Sequence, residues 1–166
     1  MDLKTFLHGL PAFERFQSRH VDALVERLQV QEIAAGQTLI HQDQPGQALY
    51  IVLSGSISLT RRDPIAGEFE EAGEARDGEV IGLLSLVADM PAPETVFAHS
   101  NVTVAALLPE DYHALHLVAP PIAQQLEYMV AVQLARELQA KNKQLRRGLA
   151  QRKTPSLIER LMGVSS

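Results

Sequence analysis

"EIAAGQTLIHQDQPGQALYIVLSGSISLTRRD", Glu32 to Asp63, contains three short runs rich in Leu, Ile, Val and Thr: "TLIH" (38–41), "ALYIVL" (48–53) and "SISLT" (56–60). Gly36, Pro45-Gly46 and Gly55 separate them. β-Branched and aromatic side chains suit a pleated, half-buried surface, and glycine and proline supply the tight turns between strands. The same texture runs from Glu32 to about Leu108, through the turn signals "DPIAGE" and "RDGE". Many short strands at such spacing predict a barrel or a sandwich.

Outward from this region the periodicity changes. Before it, "LKTFLHGLPAFERF" and "SRHVDALVERLQVQEI" read as short helices, because Val21, Leu24, Val25 and Leu28 recur at helical spacing and Ser18 can serve as N-cap. After it, "EDYHALHLV" reads as a helix. Beyond Pro120-Pro121 an apolar stripe of Ile122, Leu126, Met129, Val130, Leu134, Leu138, Leu145 and Leu149 predicts one long helix. It is expected to end near Lys153, where Thr154-Pro155 makes a break and caps a last amphipathic turn, "SLIERLM".

The 166 residues, 46% apolar and 21% charged, suffice for one domain with a sizeable core and an appended helix. With no cysteine, disulfides, thiolate metal sites and cysteine nucleophiles are excluded. The strongly apolar stretch Val80 to Ala88 falls far short of the roughly 18 residues that span a bilayer, and "MDLKTFLHGLPAF" lacks the pattern of a signal peptide. A cytoplasmic protein without membrane contact is therefore expected. Charge is uneven: residues 1 to 135 hold 7 Lys/Arg against 18 Asp/Glu, and residues 136 to 166 hold 8 against 2.

One further stretch carries chemistry. "DGEVIGLLSLVADMPAPETVFA", Asp77 to Ala98, places Gly78 and Gly82 four residues apart, then an apolar run, then a loop of Pro, Ala, Pro and Glu. The layout is that of a loop closing over a small anion. Leu83, Ala92, Pro93 and Glu94 nevertheless offer such an anion no positive charge and, at the proline, no backbone donor.

With Gly36, Leu49-Tyr50 and Ser54-Gly55 in their frame of strands, the chain resembles the cyclic-nucleotide-binding domain of the catabolite-activator/cyclic-AMP-receptor type. Asp43 stands where a glycine is usual. The resemblance runs over about residues 5 to 150. It implies a mainly β fold with flanking helices: an eight-stranded, jelly-roll-like β-roll, a phosphate-binding cassette between two strands, and a long C-terminal helix that pairs with a second subunit. The expected organisation is a helical lead-in and sensor roll over residues 1–120, a dimerisation helix over 121–153 and a short helical tail over 154–166.

In that family the cassette reads approximately Gly-Glu/Asp-x-x-Gly-Glu, an apolar stretch, then Pro-Arg-Ser-Ala-Thr-Val. Here the frame is Gly78-Glu79-Val80-Ile81-Gly82-Leu83, then Pro91-Ala92-Pro93-Glu94-Thr95-Val96. Leu83 takes the place of the glutamate that receives the ribose 2'-hydroxyl, and Ala92 that of the arginine that pairs with the cyclic phosphate. Losing such a charge-assisted contact costs on the order of 2–5 kcal/mol, roughly thirty- to several-thousand-fold in affinity. Pro93 removes a backbone N–H and Glu94 adds a negative charge. The expectation is that the roll holds neither cyclic AMP nor cyclic GMP in the standard way. If the backbone frame is intact, Leu83→Glu with Ala92→Arg should restore some affinity.

Other constellations are weaker. His113 and His116 have a spacing that can serve one metal, but no third ligand is marked and Asp111 is as well explained at a helix start. The resemblance makes His41 and His99 candidate haem ligands, since some relatives in that family hold haem in the same roll, although a lone histidine on or near a strand is more often a surface or core residue. No nucleophile elbow, Walker loop or paired carboxylates are present, so no enzyme is expected, and no cofactor or metal. The basic "KNKQLRRGLAQRK" could touch nucleic acid, although Lys and Arg flank many exposed helices for solubility alone.

The sequence thus predicts a non-enzymatic, dimeric regulatory module for signal transduction, paired through Ile122, Leu126, Met129, Val130, Leu134 and Leu138. Asn142, one turn past Leu138, is placed to fix register. Its other partner would be an unidentified protein or a non-standard small ligand. Two alternatives remain: a sensor for haem, a lipid or a cyclic dinucleotide, or a transcription-regulator-like protein acting on DNA through its basic tail or a partner. Only 13 residues follow Lys153, too few for a winged helix-turn-helix, so no DNA-reading module is expected.

Overall fold

The structure, a computed structural model, describes residues 2–63 and 65–151. It divides into a unit ending at Val130 and a second beginning at Ala131. Two helices lead in, α1 (Leu3–His8) and α2 (Ser18–Val25). Strands β1 (Gln29–Ile33), β2 (Thr38–Ile40), β3 (Leu49–Ser54), β4 (Ile57–Arg62), β5 (Phe69–Ala75) and β6 (Val80–Ile81) follow. A one-turn helix, α3 (Leu83–Leu86), precedes β7 (Thr95–Ala98) and β8 (Val102–Leu107). Helices α4 (Pro109–Val118) and α5 (Pro120–Gln151) complete the described chain.

The strands form two four-stranded antiparallel sheets, in the orders β1-β8-β3-β6 and β2-β7-β4-β5. This is the expected β-roll with flanking helices. Side chains alternate across a strand, and β3 uses both faces. Val52 joins Ile40, Ile57, Val96 and Val104 in a cluster drawn from both sheets, with Tyr50 packed against it. Leu49, Ile51 and Leu53 join Leu7, Phe13, Leu24, Leu115 and Leu126 in a second cluster on the helical side. A strand buried on both faces reads as a continuous apolar run, and "LYIVL" is one.

Two expectations at the N-terminal end are corrected. Residues 29–33 are not the end of a helix: α2 stops at Val25, and β1 pairs with β8 in the register Gln29↔Ala106 to Ile33↔Val102. That ladder satisfies the segment's backbone groups through partners far along the chain, and it overrides the local 3.6-residue spacing. Ser18 is the first residue inside α2. Gln17 holds the cap position, without a side-chain cap bond.

The long helix is present, and its stripe divides. Ile122, Ala123, Leu126 and Val130 are buried within the first unit, in the helical-side cluster, with Met129 half-buried against it. Leu134, Leu138, Leu145 and Leu149 are exposed, from 37% at Leu134 to 67% at Leu149. Of the residues named for pairing, Ile122, Leu126 and Val130 are therefore covered by their own chain. Lys153 and the tail 154–166 lie outside the described residues.

Close packing around the cassette demands a glycine at position 46. A Cβ there would overlap Ser85 Cβ on α3 and lie 2.9 Å from the Ser85 carbonyl carbon. Gly46→Ala is expected to cost about 1–3 kcal/mol, the usual range for overpacking, seen as a lower midpoint in urea. Gly148→Ala, where a Cβ meets nothing within 4 Å, should instead raise stability slightly, by up to about 1 kcal/mol.

Candidate functional site

Within the cassette, β6 joins β3, with Tyr50 opposite Ile81 and Ile51 opposite Val80. Just before β6, the Gly78 N–H donates to Val52 O (2.8 Å) and the Val52 N–H to Glu79 O (2.9 Å), while the Glu79 carboxylate accepts from Arg76 N (2.6 Å). Gly82, at φ 84°, turns the chain into α3. A Cβ at that position would lie 2.7 Å from Ala48 O, so glycine is required sterically as well as conformationally. The chain leaves α3, passes Pro91 and Ala92, and enters β7 at Thr95. The backbone frame legible in the sequence is thus built in full.

Its side chains go elsewhere. Leu83 is 5% exposed and belongs to the helical-side cluster; Ala92 is 1% exposed and belongs to the cluster between the sheets. The positions read as the ribose and phosphate anchors therefore sit in two different apolar environments. The backbone at 92 is also engaged: Ala92 N–H donates to Gln44 O (3.0 Å) and Asp43 N–H donates to Ala92 O (2.8 Å). Since Pro93 has no N–H, the two residues leave no free backbone donor for an anion. Asp43 adopts φ 66°, a left-handed conformation that aspartate tolerates better than most residues, which accounts for its standing in a glycine's place.

Thr95 Oγ1 accepts from Gln42 N (3.1 Å), and the Gln42 side chain bridges to the backbone of Arg62, accepting from its N–H (2.7 Å) and donating to its carbonyl (3.2 Å). Val96 is buried between the sheets, opposite Leu59. Burial also pushes the Tyr50 hydroxyl above its ordinary pKa, so it stays a neutral donor through physiological pH.

Glu94 reveals a residue that sequence reasoning missed. Its Oε1 lies 2.7 Å from Arg61 Nη2. The register Leu59↔Val96 and Thr60↔Thr95 carries β4 and β7 together to this pair, one step further along. Ile57, Leu59 and Arg61 alternate onto one face of β4, and Ile57 and Leu59 pack in the cluster between the sheets. A cation spaced in phase with inward apolar residues was the signal available in "ISLTR".

The other candidates do not assemble. His113 and His116 are exposed on α4, with the ring of buried Tyr112 5.0 Å from that of His116, and His116 Nε2 lies 3.8 Å from Glu127 Oε1. Among the described residues no group of three His, Cys, Asp or Glu could hold a metal ion. His41 and His99 are both exposed, at opposite ends of the β2–β7 ladder. No helix among the described residues is long and apolar enough to cross a membrane.

Residues 30–116 match the family model of the cyclic nucleotide-binding domain. The chain belongs to that family. It is 30% identical over 128 residues to the cyclic AMP receptor protein of Thermus thermophilus, covering 77% of this chain and 59% of that relative. The crystal structure of the Thermus thermophilus catabolite activator protein superposes with a TM-score of 0.73 at 29% identity, over 82% of this chain and 63% of that one. This chain thus spans about three fifths of those relatives. The domain also recurs inside larger proteins: 112 residues are 29% identical to a lysophospholipase nte1 of Neosartorya fischeri, 68% of this chain but only 7% of that enzyme.

Proposed function

We propose that this chain is a non-enzymatic regulatory module of the cyclic-nucleotide-binding type, dimeric through the outer part of α5, whose roll holds neither cyclic AMP nor cyclic GMP in the standard way. The carrying observation is the fate of the two anchor positions. Leu83 and Ala92 are buried in separate apolar clusters, and the backbone donor at 92 is spent on Gln44. An anion brought to this cassette would lose water and gain neither a cation nor an N–H at those positions, and desolvation without such partners is unfavourable.

With the standard ligand contacts gone, the module acts by contact with a partner, a second copy of itself first. At 100° per residue, Leu134, Leu138, Leu145 and Leu149 fall within about 60° of one another on α5, while Arg136, Lys143 and Arg147 fall on the opposite side and Lys141 and Arg146 flank the leucines. A helix pair would bury the leucines and leave the cations in water. Nucleic acid is not required to explain them.

Calorimetric titration with cyclic AMP and cyclic GMP tests the reading. No heat of binding is expected at micromolar nucleotide. A dissociation constant near or below 10 µM, an order-of-magnitude threshold, would overturn it.

A further inference from the structure

Glu94 does more than repel. Its side chain is 16% exposed and meets an arginine whose side chain is 38% exposed, and the pair stands at the end of β4 and β7, on the face they turn toward the cluster between the sheets. An arginine offers a planar edge, Nε and one Nη, that a carboxylate or a phosphate can take with two oxygens. Here Glu94 Oε1 accepts from Nη2, while among the described residues the buried Nε has no hydrogen-bond partner. The edge is half filled by a group belonging to the protein.

We propose that Glu94 is a tethered anion, occupying on Arg61 the place that the oxyanion of a ligand would take, and that Arg61 is a latent site for a phosphate dianion that this carboxylate keeps closed. The inference deepens the proposed function and rests on its reading that position 92 no longer anchors a nucleotide. A carboxylate on the same chain is present at a high effective concentration and needs no diffusing partner, so Arg61 stays paired whatever the nucleotide concentration. The ligand class that fits Arg61 once Glu94 is neutral is a tetrahedral oxyanion, able to span Nε and Nη2 together: inorganic phosphate or a phosphate monoester.

Glu94→Gln keeps the shape of the side chain and removes its charge. Titrated with inorganic phosphate and, separately, with 5'-AMP, this variant should bind about tenfold to a hundredfold more tightly than the wild type, the worth of a hydrogen bond to a charged group. Equal gains with the two probes identify the bare oxyanion as what is recognised; a larger gain with 5'-AMP identifies a monoester. Adding Arg61→Gln should abolish the gain. The melting temperature of Glu94→Gln in phosphate against chloride is a second readout, expected to rise only while Arg61 is present. Equal phosphate binding by wild type and Glu94→Gln, binding that survives Arg61→Gln, or a Glu94→Gln chain no more stable in phosphate than in chloride would each overturn the inference. Micromolar cyclic AMP binding by the wild type would instead sink the proposed function, so the two failures are distinguishable.

Discussion

Leu134→Asp together with Leu138→Asp is expected to convert the protein from dimer to monomer with its strand content unchanged. Both leucines lie beyond Val130, exposed at 37% and 61%, whereas the stripe residues that complete the roll's core, Ile122, Leu126 and Val130, are untouched by the change. Burying one fully exposed leucine contributes about 1.5–3 kcal/mol, so four leucines that are 37% and 61% exposed would contribute roughly 3–6 kcal/mol to a symmetric pair of helices. That corresponds to a weakening of about a hundred- to ten-thousand-fold before repulsion between facing carboxylates is counted. Sedimentation across micromolar concentrations reads the outcome directly, with circular dichroism to follow the strands. A wild type that is monomeric throughout that range would refute the paired helix and any regulation that acts through it.

The second large effect runs against the expectation formed from the cassette frame alone. Leu83→Glu with Ala92→Arg reinstates the family's anchors in sequence, yet the double variant is expected to lose stability rather than gain affinity. Leu83 packs among the helical-side leucines at 5% exposure, where a carboxylate would be buried without a partner, and Ala92 is held on both sides of its peptide by the 43–44 loop at 1% exposure. An unpaired buried charge costs about 3–5 kcal/mol, a large share of the roughly 5–15 kcal/mol that keeps a domain folded. The introduced glutamate would have its folded-state pKa raised above the ordinary value of about 4.3 by desolvation. It would bind more protons folded than unfolded, so its penalty should be full at pH 8 and relieved near pH 4. Urea denaturation at the two pH values checks both the size and the sign. A double variant as stable as wild type that binds cyclic AMP at micromolar concentration would show that Leu83 and Ala92 merely fill an intact pocket.

What the sequence determined by itself is local. The strands from Thr38 to Arg62 were legible because β-branched runs and the turns at Gly36, Pro45-Gly46 and Gly55 depend on neighbours a few residues apart. The cassette frame was legible for the same reason, since Gly82 answers to a turn, and the loss of its anchors is a matter of residue identity at Leu83 and Ala92. Only the tertiary structure decided the rest. Gln29 to Ile33 became a strand because β8 offered a ladder. The stripe on α5 split at Val130 because burial depends on what lies against a helix, not on the helix's own period. Leu83 and Ala92, nine positions apart, went to opposite cores, and Arg61 met Glu94, because contacts across a sheet are set by register between strands distant in the chain, which no local pattern encodes.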